Sequence, residues 1–331
     1  MDLSRPILAP LAIILFVSTS SACLVGTPSS LSPEPHTLAT TQHARNLEQL
    51  TEGPSHDVDP SISRDGTQVA FANFDSFGAR SHVDVFALLD RTRRRVTTDD
   101  VDARSPTWLS STTLLYSSQK PGAEHTRATL LSLEALSTPR LLPAPYVNVN
   151  VASPSAFRSA SSFRIVEEIS QDVFGWYSAT RYEYLEIVIS DPDTLSMVKL
   201  DRGRWPSFSP DGRRIAYTGE GGRVIVADAT NGERLYHLMP GDMPVFSPDG
   251  ARLVFCATSA QGGVDLFVVP VGGGPVMQLT AGDGEACHPS WGPDHWIYFH
   301  ANAKKSFDIW RLQWIDDADA SPDTREIAAS L

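Results

Sequence analysis

Six residues with very different side chains stand directly before a proline, at intervals of 38 to 52 residues along the chain. They are Asp59, Ser105, Ser153, Trp205, Met243 and His288. A carboxylate and a histidine placed together could transfer a proton or hold a ligand, and a tryptophan could anchor a partner protein. If the fold gathers these residues, the sequence predicts a binding site to which every repeat contributes one side chain.

Signatures of known catalytic machinery are missing from the sequence. It contains neither the Gly-x-Ser-x-Gly motif of serine hydrolases nor the His-Glu-x-x-His motif of zinc peptidases. Aspartates such as Asp211 and Asp249 recur at one place in a repeated turn, which indicates a structural role. We therefore predict that the protein is not an enzyme. The alternative is a lyase or hydrolase built on acid–base groups near the prolines. Those groups are His288, Glu285, Asp59 and Asp242.

The elements that must position these residues are short hairpins. Ser-Pro-Asp-Gly occurs at 209–212 and 247–250, each time before a short apolar run, and variants occur at 63–66 and 292–295. Proline, aspartate and glycine favour a tight turn between strands. Because one hairpin is only marginally stable in water, the hairpins must stack. Their spacing is close to the period of about 40–45 residues of a four-stranded propeller blade. The sequence therefore predicts an all-β, six-bladed β-propeller.

One strand at the start of the folded region is predicted to close the ring. Gln49-Leu50-Thr51 repeats the end of a fourth strand, Gln278-Leu279-Thr280, but no first three strands precede it. The last unit, in turn, has no convincing fourth strand after Leu312. We therefore predict that the N-terminal strand completes the last blade, which removes an exposed sheet edge.

The repeat resembles that of a known family. Pro-x-aromatic-Ser-Pro-Asp-Gly followed by an apolar run is similar to the WD-like repeat of TolB-type β-propellers, roughly from Leu47 to Leu312. TolB also has an α/β domain before its propeller, for which this chain has no room. The resemblance implies that the six pre-proline residues ring one mouth of the central channel. It also implies an envelope protein as partner, such as a peptidoglycan-associated lipoprotein.

The N-terminus has the features of an export signal. Arg5 precedes the apolar stretch Ile7–Val17, which is too short to span a bilayer, and small residues lead to Cys23. This resembles the lipobox of bacterial lipoproteins, in which the cysteine is acylated. We predict a signal peptide at 1–22, a lipid-anchored flexible tether at 23–43, the propeller at 44–314 and an acidic tail at 315–331. The alternative is ordinary secretion with cleavage near Ala22.

The two other cysteines are predicted to lie at the same rim of neighbouring blades. Cys256 ends a second strand and Cys287 begins the next first strand, so a disulfide is possible in an oxidising compartment. The alternative is a pair of buried thiols. His288 and His300 lie near the same rim, but their spacing with the cysteines matches no zinc pattern. The sequence therefore predicts no metal and no cofactor.

The charge of the chain limits its partners. A formal net charge of −12 argues against nucleic acid, because phosphate binding requires clustered basic residues. We predict a monomeric, non-catalytic binding or scaffold protein, held by its lipid anchor at the periplasmic face of the outer membrane. Soluble periplasmic or secreted forms are the alternatives for location. A small-molecule sensor with its ligand in the channel is a third alternative for function, beside the enzyme.

Overall fold

The computed structural model describes residues 36–75, 80–123, 126–134, 138–145, 148–152, 159–173, 176–190, 197–304 and 306–315. These residues form strands and no α-helix. The strands, in chain order, are β1 (Leu38–Thr40), β2 (Ala44–Gln49), β3 (His56–Ile62), β4 (Gln68–Phe74), β5 (His82–Ala87), β6 (Thr92–Arg95), β7 (Asp102–Trp108), β8 (Thr113–Gln119), β9 (Arg127–Ser132), β10 (Arg140–Pro145), β11 (Asn148–Ala152), β12 (Ser159–Val173), β13 (Trp176–Ser190), β14 (Met197–Phe208), β15 (Arg214–Gly219), β16 (Arg223–Asp228), β17 (Arg234–Pro240), β18 (Asp242–Phe246), β19 (Arg252–Thr258), β20 (Val264–Pro270), β21 (Met277–Gln278), β22 (Thr280–Gly282), β23 (Ala286–Trp291), β24 (Trp296–Ala301) and β25 (Asp308–Trp314). In this part of the chain, no helix is long and apolar enough to cross a membrane.

The strands assemble into antiparallel sheets arranged as the blades of a propeller. Four sheets have four strands each, in the orders β3-β4-β5-β6, β10-β9-β8-β7, β18-β19-β20-β21 and β2-β25-β24-β23. A fifth sheet has seven strands, from β11 to β17 in sequence order. The innermost strand of the first sheet, β3, contacts β7 on one side and β23 of the last sheet on the other. The first and last sheets are therefore neighbours, as a closed ring requires.

The seven-stranded sheet differs from the predicted pattern of six separate blades. Strand β14 pairs with β13 through 197–202 and with β15 through 203–208, so one continuous strand serves two sets of partners. The described residues thus fall into five blade-like sheets rather than six. The sequence did not indicate this continuity, because the turn and strand signals in the third unit are degenerate.

The repeated turns explain why Ser, Asp and Gly recur. The Asp211 carboxylate accepts hydrogen bonds from the Ser209 hydroxyl at 2.5 Å and from the Arg213 amide at 3.0 Å. Gly212 has a φ of 68°, a conformation that glycine adopts without steric cost, and its amide donates to the Ser209 carbonyl. The hydrogen bonds from Ser209 and from the Arg213 amide lower the pKa of Asp211. This aspartate therefore organises a turn, as the sequence indicated.

The N-terminal strand closes the ring by repeating the contacts of an ordinary fourth strand. Gln49 donates through Nε2 to Asp308 Oδ2 at 3.1 Å and to the Thr51 carbonyl at 2.9 Å. Gln278 donates in the same way to Asp265 Oδ2 at 3.3 Å and to the Thr280 carbonyl at 2.7 Å. Strand β2 pairs with β25, which confirms the predicted pairing of the N-terminal strand with the last sheet.

Apolar clusters fill the spaces between neighbouring blades. The largest packs Val254 and Leu266 of one sheet against Ile297 and Phe299 of the last. Another cluster joins Phe71 of the first sheet to Tyr298 and Ile309 of the last. Blade-to-blade burial of this kind, at about 25 cal/mol per Å² of apolar surface, is what holds a ring of hairpins together.

A short strand lies inside the segment that the sequence assigned to the tether. Strand β1 pairs with β22, with Leu38 opposite Gly282 and Thr40 opposite Thr280. The Thr37 amide and hydroxyl also donate to Asp283 Oδ1. The last residues of the predicted tether are thus held against the propeller, on the outside of the sheet formed by β18 to β21.

Candidate functional site

The residues before the repeated prolines adopt an unusual backbone conformation. The φ angles of Asp59, Ser105, Trp205, Met243 and His288 are 55°, 49°, 55°, 54° and 52°. Left-handed conformations are uncommon for residues other than glycine, and a following proline favours extended backbone instead. Each residue also lies at a break in strand register, a β-bulge in the first strand of its unit. A bulge changes the direction in which a side chain points. The same departure from regular strand geometry recurs at these five positions around the ring.

These five residues line one cavity, which is called the mouth below. The cavity has a volume of about 150 Å³. Its walls are the five pre-proline residues together with the proline and the next residue of each unit; they are Asp59–Ser61, Ser105–Thr107, Trp205–Ser207, Met243–Val245 and His288–Ser290. The structure therefore brings together five of the six residues singled out in the sequence. The sixth, Ser153, lies outside the described residues, and its place at the mouth stays a prediction.

His288 contacts an acidic and two aromatic side chains at the mouth. Its Nε2 atom lies 3.0 Å from Asp59 Oδ1, which belongs to the first sheet. The Trp205 ring meets the imidazole edge-on at a centroid distance of 5.0 Å, and the His300 ring lies 4.6 Å away. Burial lowers the pKa of His288 to about 4, although the charge of Asp59 opposes this shift. The imidazole is therefore neutral at pH 7.

His300 does not line the cavity but lies next to His288, which does. It lies on the second strand of the last sheet, opposite Cys287, and its side chain is 5% exposed. Its Nδ1 accepts a hydrogen bond from the Asp59 amide at 3.3 Å, and its Nε2 lies 3.5 Å from Glu285 Oε1. The sequence analysis placed both histidines near the same rim, and the antiparallel register of the hairpin brings them side by side.

Most other charges near the mouth are paired. Arg204 Nη2 lies 2.8 Å from Asp242 Oδ2, and Asp242 also accepts a hydrogen bond from Thr218 at 2.7 Å. Arg104 is paired in the same way with Asp102 at 3.0 Å. Asp242, one of the four acid–base candidates, is thus held in a cross-sheet contact and not presented to the cavity.

By contrast, the cluster of Asp59, His288 and His300 contains buried polar atoms without hydrogen-bond partners among the described residues. These atoms are Asp59 Oδ1, both ring nitrogens of His288 and Nε2 of His300. Buried polar groups normally find partners, and leaving one unsatisfied costs about 1–3 kcal/mol. These unpartnered atoms lie close together, so this part of the mouth lacks hydrogen-bond partners.

The structure joins Cys256 and Cys287 by a disulfide beneath the mouth. Their Cα atoms are 5.4 Å apart, and the two residues belong to β19 and β23 of neighbouring sheets. Cys287 directly precedes His288, so the covalent link lies next to the centre of the candidate site. Cys23, the predicted acylation site, lies outside the described residues, and its lipidation stays a prediction.

Known structures share this fold. Neither a protein-family profile nor a curated protein sequence matches the chain. TolB from Acinetobacter baumannii is 18% identical, with a TM-score of 0.57; the match covers 73% of this chain but only 58% of TolB. An oligogalacturonate lyase in complex with manganese is 14% identical, with a TM-score of 0.53, over 85% of this chain and 97% of the lyase.

A third similar structure is XC5397 from Xanthomonas campestris, described as a gluconolactonase. It is 14% identical, with a TM-score of 0.57, over 86% of this chain and 95% of that one. At such identities a likeness shows the fold alone, and the three proteins differ in what they do. Together with the ring of antiparallel sheets, these comparisons show that the chain has the β-propeller fold of these three structures.

Proposed function

We propose that this protein is a non-catalytic binding protein of the bacterial cell envelope, which recognises a partner protein at the mouth of its channel. The observation that carries the proposal is the ring of five left-handed, pre-proline residues around one cavity. The five residues share one backbone conformation, whereas their side chains are all different. A scaffold that repeats its backbone and varies its side chains at one place is suited to recognising one particular surface.

The size of the cavity supports recognition of a protruding group. A cavity of about 150 Å³ accommodates a molecule about as large as benzene. Trp205 and Met243 provide apolar contact on one side, and Asp59 and Ser105 provide polar contact on the other. A single side chain projecting from a partner, surrounded by rim contacts, fits this arrangement. The likeness to TolB supports an envelope protein as the partner, such as a peptidoglycan-associated lipoprotein.

Six blades and the predicted domain limits belong to the same proposal. In this view the seven-stranded sheet is two blades that share β14, because the two halves of β14 pair with different strands. Trp205 then belongs to the fourth blade and Ser153 to the third. The proposed order is a signal peptide at 1–22, a tether from Cys23, the monomeric propeller at 44–314 and an acidic tail at 315–331.

Crosslinking from inside the mouth tests the proposed recognition. We expect a photoreactive aromatic residue at position 105 to capture one partner in intact cells, because Ser105 lines the cavity. The same residue at Leu89, which is 98% exposed in the turn after β5, is the matched control. The captured protein, purified, should bind at least about tenfold more weakly to Trp205→Ala, since a buried aromatic anchor contributes 2 kcal/mol or more. Equal capture from both positions would contradict recognition at the mouth.

Replacing the predicted acylation site tests the proposed location. We expect Cys23→Ser to move the protein from the membrane fraction to the soluble fraction, because no other anchor is predicted. Each buried methylene of an acyl chain contributes about 0.8 kcal/mol, so its loss is decisive. Ser29→Ala is the control, since it changes a small polar side chain of the predicted tether and should leave the fractionation unchanged. If both variants fractionate like the natural protein, the anchor does not exist.

An enzyme is the second candidate, favoured by the unpartnered atoms of Asp59, His288 and His300. A neutral histidine beside a carboxylate is an arrangement that can abstract a proton, as a lyase requires. Turnover of an oligosaccharide or lactone by the purified protein, lost in His288→Asn but retained in Trp205→Ala, would favour the enzyme over the binding protein.

A further inference from the structure

Three side chains at the mouth converge although they come from opposite ends of the chain. Asp59 belongs to the first sheet, whereas His288 and His300 lie on neighbouring strands of the last sheet. One oxygen or ring nitrogen from each lies within 4.8 Å of the other two. Metal–ligand bonds of about 2.0–2.2 Å place ligand atoms about 3–4 Å apart, so this cluster is only slightly wider than a metal site.

The contact between His288 and Asp59 has the distance of a hydrogen bond but not its alignment. His288 Nε2 lies 3.0 Å from Asp59 Oδ1, yet neither atom has a hydrogen-bond partner among the described residues. The side chains of His288 and Asp59 are 12% and 9% exposed, and the two facing atoms are buried. Two buried electron-pair donors at this separation, with no hydrogen bond between them, have the arrangement of two ligands of one cation.

His300 supplies the third ligand atom, which is the second ring nitrogen of the cluster. The Glu285 carboxylate lies 3.5 Å from Nε2, which favours the N–H at that position and leaves the lone pair on Nδ1. Nδ1 is on the side of Asp59, and on binding an ion it would exchange its weak hydrogen bond from the Asp59 amide, 3.3 Å long, for the bond to the metal. A carboxylate that fixes the tautomer of a histidine is the usual outer partner of a metal-binding imidazole.

We propose that Asp59, His288 and His300 form a binding site for one divalent first-row transition-metal ion, such as Zn²⁺. Two imidazoles and one carboxylate suit such ions, whereas Mg²⁺ and Ca²⁺ prefer sites made of oxygen atoms. Three protein ligands leave at least one coordination position, and two of the ligands, Asp59 and His288, also line the cavity. The ion would therefore be accessible to a ligand or partner group at the mouth. The sequence did not predict this site, because no linear spacing joins Asp59 to the histidines.

The position of the site gives the ion a second effect. The ligands come from the first and last sheets, which the N-terminal strand also joins. An ion held between them therefore links the two ends of the ring and stabilises the folded state, because it binds the folded chain preferentially. This stabilisation can be measured without knowing any partner or substrate.

Calorimetric titration of the chelator-treated mature protein with ZnCl₂ tests the proposal. We expect one ion per chain with a micromolar or lower Kd, and a Tm higher by about 5–10 °C at a hundredfold excess of Zn²⁺ over Kd. Asp59→Asn, which keeps the shape of the side chain, should weaken binding at least about tenfold, and His288→Asn about a hundredfold or more. MgCl₂ should produce neither heat nor a shift in Tm.

The control is His295→Asn, which replaces an exposed histidine at the opposite end of the channel and should bind Zn²⁺ like the natural protein. A Tm close to that of the natural protein without metal establishes that each variant is folded. The proposal is overturned if the natural protein does not bind Zn²⁺, or if folded Asp59→Asn and His288→Asn bind it unchanged.

Tryptophan fluorescence locates the ion independently. Co²⁺ quenches nearby indoles, and the Trp205 ring is 5.0 Å from the His288 ring. We expect Co²⁺ to quench part of the emission of the natural protein. Trp205→Phe should lose that quenching while keeping its calorimetric affinity for Zn²⁺. Quenching that persists in Trp205→Phe would place the ion elsewhere and contradict the proposal.

Discussion

Replacing Cys256 and Cys287 together with alanine is expected to lower the free energy of unfolding by about 3–4 kcal/mol. The disulfide closes a loop of 31 residues, and the entropy that such a link removes from the unfolded chain accounts for an effect of this size. Because the bond joins β19 to β23, its loss should loosen the contact between two neighbouring sheets. Denaturant unfolding, with the midpoint and slope compared between variant and natural protein, measures the effect.

A matched experiment separates the covalent bond from the packing of the sulfur atoms. The natural protein unfolded in the presence of a thiol reductant keeps both side chains but loses the bond. If the reduced protein is destabilised by about as much as the alanine variant, the bond itself stabilises the fold. Equal stability of the oxidised, reduced and alanine forms would contradict the prediction. Alanine is chosen because both cysteines are almost fully buried, where a serine hydroxyl would need a partner.

Asp308→Asn is expected to stabilise the protein at pH 8 by about 2–4 kcal/mol and to have little effect near pH 4. Burial, together with the neighbouring charge of Asp57, raises the pKa of Asp308 to about 7. Asp308 Oδ1 has no hydrogen-bond partner in the described part of the chain. Its other oxygen accepts from Gln49 and Ser306. An amide in this place can keep those hydrogen bonds and carries no charge.

The direction of the pH dependence follows from proton binding. In the unfolded chain Asp308 ionises near its ordinary pKa of 3.8, whereas in the folded protein it keeps its proton up to about pH 7. The folded state therefore binds the extra proton in this window, and stability falls as the pH rises from about 4 to 7. A shift of about three pKa units corresponds to at most about 4 kcal/mol. The Asp308→Asn variant should lose this part of the decrease in stability with rising pH.

Asp265→Asn is the matched control, because Asp265 holds the equivalent place in another blade. Its carboxylate accepts hydrogen bonds from Thr280 at 2.8 Å and from Gln278 at 3.3 Å, so both oxygens have partners. We expect its replacement to give no comparable gain at pH 8. If Asp308→Asn shows the same pH dependence of unfolding as the natural protein, then Asp308 is ionised in the folded state and the prediction is wrong.

Much of the candidate site could be predicted because it follows the repeat. Trp205 and His288 stand before prolines at equivalent points of their units, so any closed ring of these units brings them to one mouth. The pairing of the N-terminal strand was predictable for the same reason, since Gln49-Leu50-Thr51 copies residues that bond to a third-strand aspartate elsewhere. Units that repeat in sequence place equivalent residues at equivalent positions of the ring. This can be predicted without knowing any distance.

Other features could not be predicted, because they depend on contacts between units. His300 lies on a second strand, and only the packing of the first sheet against the last brings Asp59 next to it. The attachment of Leu38–Thr40 to β22 joins a Ser- and Pro-rich segment to the far end of the chain. The continuity of β14 across two sets of partners arises where the turn signal is weakest.

The sequence by itself determined an all-β propeller, the strand that closes it and five residues that line one cavity, because local turn chemistry and a regular period can be recognised along the chain. Only the tertiary structure decided the number of blade-like sheets, the disulfide and the meeting of Asp59 with two histidines. Those features depend on separations of a few ångströms between residues that are far apart in sequence, and only the packed ring sets such separations.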